Sequence, residues 1–85
     1  MYRITFKKSA EKEIQKLPSA IVGRIVPVIE SLSKNPRPTG SKKLIGSKEN
    51  IWRVRVADYR IVYLIADSIK IVEIRRIGHR KDIYK

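Results

Sequence analysis

The sequence predicts an α+β fold: an N-terminal strand, a two-helix hairpin, then a three- to four-stranded, mainly antiparallel sheet with the helices on one face. Three observations predict it. From Ile51 onward, β-branched and aromatic residues fill most positions and alternate in their faces, the period-2 signature of strands. Between Ala10 and Leu32 the apolar residues instead recur at helical spacing. Helices come before strands rather than alternating with them, which segregates the helices onto one side of the sheet.

The elements follow in order. Tyr2-Arg3-Ile4-Thr5-Phe6 alternates and is rich in strand formers. Ser9 is read as the cap of a first helix, with Glu11 and Glu13 at the positive end of its dipole and Ala10, Ile14 and Leu17 on its apolar side. Pro18 disfavours the helical conformation at Leu17 and stops it there. A second helix begins at Ser19 and lays Ile21, Ile25, Val28, Ile29 and Leu32 along one stripe. Pro27 lacks the N–H that would bond Gly23, so the sequence predicts one helix kinked near Gly23-Pro27. Asn35-Pro36-Arg37-Pro38-Thr39-Gly40 forms a stiff polar loop, and Ser41 to Gly46 offers a short extended segment. Three strands remain: Ile51–Val56, Tyr59–Ala66 and Ile69–Ile77, joined by the two-residue links Ala57-Asp58 and Asp67-Ser68.

Eighty-five residues predict a single domain spanning 1–85, with room for one small core. The absence of cysteine rules out disulfides and thiolate metal sites and fits a reducing cytoplasm; with one histidine, neither a metal nor any other cofactor is expected. No apolar run approaches the roughly 20 residues of a membrane span. Twenty Lys and Arg stand against eight Asp and Glu, a formal charge of +12. A field of that size favours a polyanionic partner: nucleic acid, the ribosome, an acidic protein or an anionic membrane surface.

Strand alternation sets where the cations gather. With Tyr59, Ile61, Tyr63 and Ile65 under the helices, Arg60 emerges on the open face, where Arg53 and Arg55 from the neighbouring strand join it. Arg75 and Arg76 follow on the third strand, and the tail after Gly78 brings His79, Arg80 and Tyr84. Lys42 and Lys43 add phosphate attraction, while Trp52 and Tyr63 read as packing residues. Arginine forks match phosphate oxygens but stay protonated, so they stabilise charge and do not exchange protons. His79 would exchange protons near neutrality, and Tyr84 would stack on a base or share in proton transfer. Such a surface suits RNA, whose 2′-hydroxyl is its own nucleophile; cleavage without a metal would leave a 2′,3′-cyclic phosphate and a 5′-hydroxyl.

Several blocks carry a resemblance: Pro36-Arg37-Pro38 through Gly40, Lys42-Lys43-Leu44, Trp52-Arg53-Val54-Arg55, Asp58-Tyr59-Arg60-Ile61-Val62-Tyr63, and Ile77-Gly78-His79-Arg80 with Ile83-Tyr84. The sequence resembles toxins of the RelE/ParE superfamily, on the RelE side. The resemblance implies a ribosome-dependent endoribonuclease that cuts mRNA in the A site. It also implies a cognate antitoxin, whose helix and extended segment wrap the toxin; a heterotetramer of two toxins around an antitoxin dimer is one assembly left open. Carried over by position, the family's basic strand residues fall on Arg53 and Arg55, where relatives commonly carry lysine. The remaining family positions fall on Arg60, Arg80 and Tyr84, while His79 enters on its chemistry. Two other functions compete: a ParE-like inhibitor of DNA gyrase, and a non-catalytic RNA-binding module. The second lacks the exposed stacking aromatics such modules use.

Overall fold

The computed structural model describes residues 1–46 and 48–83. The order is β1 (Arg3–Phe6), α1 (Lys8–Gln15), α2 (Ser19–Ser31), β2 (Lys42–Lys43), β3 (Ile51–Val56), β4 (Tyr59–Ala66), β5 (Ile71–His79) and α3 (Arg80–Ile83). The strands form one sheet in the order β1-β5-β4-β3-β2. Strands β2 to β5 are antiparallel throughout, and β1 lies beside β5 in parallel. The predicted α+β architecture therefore holds, with the N-terminal strand completing the sheet at its far edge.

The helices begin slightly differently from expectation. Helix α1 starts at Lys8 behind an extended Lys7, and the Ser9 hydroxyl does not cap it. That hydroxyl donates instead to the Arg75 carbonyl at 3.1 Å, tying the helix to β5. Helix α2 runs unbroken through Pro27, from Pro18 at its cap position to Ser31. Its buried residues Ile25 and Ile29, with Leu32 just beyond, sit in one cluster with Ala10, Val54, Val56, Ile61, Tyr63, Ile65, Val72, Ile74 and Ile77. One face of the central strands thus carries the core, and the helices cover it.

Tyr63 is fully buried, and its hydroxyl donates to the Pro36 carbonyl at 2.7 Å. Burial pushes that phenol up to about 12, so it remains a donor.

Two features of the sheet depart from the simple alternation. The second link is a four-residue turn, Asp67 to Lys70, with Lys70 at φ 55°. Ile69, read as the start of a strand, is 64% exposed at its tip. A lone β-branched residue carried that expectation; the need to reverse the chain decided otherwise. The other departure is a bulge: Val62 faces Arg76 while Tyr63 faces Ile74, which leaves Arg75 as an extra residue in β5. Ile74 and Ile77 both reach the core although three positions apart, which strict alternation forbids.

A candidate nucleic-acid interface

The register of the three adjacent strands β2, β3 and β4 builds the site. Arg55 lies directly opposite Arg60, and Lys42 directly opposite Arg53. These four side chains, with Gly40, line a pocket of about 150 Å³ on the face turned away from the helices. It is smaller than the roughly 300 Å³ of a typical small-molecule site. Among the described residues, none that lines it carries a carboxylate.

Like charges directly opposite each other destabilise a strand pair. Arg55 and Arg60 are steadied mainly by backbone oxygens. The Arg55 Nε donates to the Ala57 carbonyl at 2.7 Å, and the Arg60 Nη1 to the Tyr59 carbonyl at 3.4 Å. Asp58 lies 3.9 Å from Arg55, with both side chains more than 60% exposed, so solvent screens that pair. The arrangement leaves guanidinium groups aimed at a space that an anion would fill.

The other predicted residues divide. Arg80 opens α3, and its backbone N–H donates to the Asp58 carbonyl at 2.9 Å, anchoring the tail to the hairpin that carries Arg55 and Arg60. Lys43 faces Trp52 in the ladder and does not line the pocket. The expected grouping of His79 with the arginines is corrected. Gly78 is the residue opposite Arg60, and alternation turns His79 toward Tyr59 on the other face. Its ring meets that of Tyr59 edge-on, with centroids 5.4 Å apart, and Nδ1 accepts the Lys81 N–H at 3.2 Å. Tyr84 lies outside the described residues.

Arg75 and Arg76 form a separate basic cluster, and carboxylates hold both. The Arg75 fork binds Glu49 at 2.8 and 3.1 Å, and its Nε binds Glu73 at 2.7 Å. Hydrogen bonding and charge raise Arg75 above its ordinary pKa and hold Glu49 below its own. Arg76 reaches one oxygen of Glu13 at 3.1 Å; the other oxygen accepts the Ile77 N–H at 2.9 Å. In each arginine a carboxylate already takes up part of the guanidinium fork.

Two residues escaped the reading of the sequence. Gly40, at φ 92°, lets the loop turn against the pocket. Arg37 packs over the Trp52 ring at 5.3 Å and binds Asp67 at 2.8 Å. The Pro-Arg-Pro spacing marked a loop, but nothing in it named the distant partners. Among the described residues, no three His, Asp or Glu side chains converge as a metal ion requires.

The fold and the pocket define a class: a small α+β domain that presents an arginine- and lysine-lined pocket on the sheet face turned away from its helices. The chain belongs to the ParE toxin family of type II toxin–antitoxin systems, whose profile matches residues 4–84. It is 33% identical to toxin RelG of Mycobacterium tuberculosis, over 99% of this chain and 97% of that protein. To toxin RelE3 of Methanocaldococcus jannaschii it is 36% identical, over 96% and 94%. Its fold superimposes on the archaeal RelE–RelB complex of Pyrococcus horikoshii with a TM-score of 0.83, at 28% identity over 95% of this chain and 97% of that one. Among the described residues, no helix is long and apolar enough to cross a membrane.

Proposed function

We propose that this toxin is a ribosome-dependent endoribonuclease that cleaves mRNA in the A site. The observation that carries the reading is the pocket itself: three arginines and a lysine from adjacent strands surround a phosphate-sized space, with no carboxylate among the described residues that line it. The RelE names of several relatives support the same reading. In this reading Arg53, Arg55 and Arg60 bind the scissile phosphate and stabilise the charge that develops as the 2′-hydroxyl attacks in line. RNA supplies its own nucleophile, so the step asks for no metal. Arg80 adds charge from the tail, and Tyr84 stacks on a base or shares in proton transfer. His79 supports the start of α3 through its bond to Lys81, rather than exchanging protons with the substrate.

A cognate antitoxin is part of the proposal, as in the RelE–RelB complex. The outer edge of β1 pairs with no strand among the described residues, and a small apolar groove runs beside it between Ile4, Phe6, Val26 and Ile29. Phe6 and Val26 are each more than a third exposed there. An acidic segment with apolar side chains would add a strand at that edge and offset the +12 charge.

Primer extension on a defined mRNA with programmed ribosomes tests the activity. Cleavage within the A-site codon, lost in Arg60→Ala and Arg80→Ala, is the expected result. The matching profile carries the ParE name, which keeps gyrase as the second reading. Intact message together with growth arrest and DNA damage would establish that reading and sink the ribonuclease.

A further inference from the structure

Gly40 and Lys42 form the wall of the pocket that does not belong to the β3–β4 hairpin. The segment leading to them is held from the helix-covered side of the sheet. Buried Tyr63 donates its hydroxyl to Pro36. The next residue, Arg37, places its guanidinium over the Trp52 ring and forks onto Asp67, with contacts of 2.8 and 3.4 Å. The Tyr2 hydroxyl donates to the same carboxylate. Trp52 is fixed in turn by its Nε1 donating to Asn50 at 2.8 Å. Three residues beyond Arg37 the chain turns at Gly40, where the Ser41 N–H closes onto the Pro38 carbonyl at 2.9 Å. Trp52 packs against the core, whereas its neighbour Arg53 lines the pocket. A grip on Trp52 from one face therefore fixes the loop relative to Arg53 on the other.

We propose that Arg37, clasped by Asp67 and Trp52, is a positioning residue for the anion pocket, holding Gly40 and Lys42 against Arg53, Arg55 and Arg60 without lining the pocket itself. The proposal rests on the pocket being the phosphate site of the ribonuclease reading. It has a consequence that charge alone reverses. Asp67→Asn makes the toxin one unit more positive, so simple electrostatics predicts tighter RNA binding. Loss of the clasp predicts weaker binding.

The test is anisotropy of a labelled single-stranded RNA in which every 2′-hydroxyl is methylated, so that binding is read without cleavage. Asp67→Asn and the charge-conserving Arg37→Lys are each expected to weaken binding about three- to tenfold, the worth of one misplaced phosphate contact. Melting temperatures confirm that each variant is folded at the assay temperature. In the wild-type background Lys42→Ala costs a similar factor; in the Asp67→Asn background it costs nothing further, because Lys42 has already lost its place. Tighter or unchanged binding by Asp67→Asn overturns the proposal, as does an equal cost of Lys42→Ala in both backgrounds. Arg60→Ala separates the two claims. If it binds as wild type, the pocket is not where this RNA binds and the positioning role falls, while the ribonuclease reading is decided by cleavage on programmed ribosomes. If it binds poorly while Asp67→Asn does not, only the positioning role falls.

Discussion

The toxin holds two arginine clusters and treats them in opposite ways. Around the β3–β4 hairpin, Arg55 and Arg60 face each other across the ladder and rest mainly on backbone carbonyls. Near the β5 bulge, Arg75 and Arg76 each hold a carboxylate at 3.1 Å or less. Both clusters contribute to the same net charge, yet the first lines a pocket whereas the second holds carboxylates at short range. Net charge brings a polyanion to the surface; local pairing decides where it stays.

Breaking each cluster in turn should give unequal results. Arg60→Ala is expected to lower A-site cleavage about 10²- to 10³-fold, as losing one transition-state charge stabiliser does, whereas Arg75→Ala stays within about threefold of wild type on rate measurements with programmed ribosomes. Equal losses would erase the distinction.

Releasing the second cluster should sharpen it. Glu49→Ala leaves the Arg75 fork with one carboxylate fewer, so RNA binding tightens and the slope of log K against log salt steepens by about 0.7, the share of one added phosphate contact. Cleavage at saturating ribosomes does not rise. A faster cleavage rate would place Arg75 in the site after all.

Stability should run opposite to activity in the first cluster. Arg55→Thr removes a like-charge cross-strand pair and supplies a better strand former. It is expected to stabilise the fold by about 0.2–1 kcal/mol in urea unfolding while lowering cleavage. The corresponding Arg76→Thr gives up its contact with Glu13 and brings no such gain.

The smallest expected effect is the response to acid. Hydrogen bonds from Arg37 and Tyr2 hold the Asp67 carboxyl down at about 2, below its ordinary 3.8. A depressed carboxylate pKa contributes stability above about pH 4, and that contribution is lost as the pH falls toward 2. Glu49 is likewise held down by Arg75, so its pair loosens in acid in the same sense. The Asp67 carboxyl resonance followed by NMR should titrate near pH 2 in the wild type and return toward its ordinary value in Arg37→Lys, where the bidentate fork is gone.

The residues that were legible in the sequence share a cause. Arg53, Arg55 and Arg60 sit in stretches, Trp52 to Val56 and Tyr59 to Ala66, where alternation holds, so their common face followed from counting by twos. Arg75 and Arg76 sit at the bulge, where counting fails. The run Ile74-Arg75-Arg76-Ile77 holds two core residues three apart, and that broken period was the available signal. For His79 the alternation itself held the answer, since a residue next to Gly78 cannot share the face of Arg60. Its chemistry suggested the pocket; its parity placed it elsewhere. Arg37 is a different case, because a loop arginine gives no sign of which carboxylate, thirty residues away, will hold it.

By itself the sequence determined what local physics controls: helices where apolar residues recur at helical spacing, strands where they alternate, a turn where Pro and Gly crowd together, and a charge that favours a polyanionic partner. Only the tertiary structure decided which arginines hold a carboxylate at short range and which line the pocket. Pairing depends on register, on one extra residue in β5 and on a loop clasped from the opposite face, all set by contacts between segments far apart in the chain.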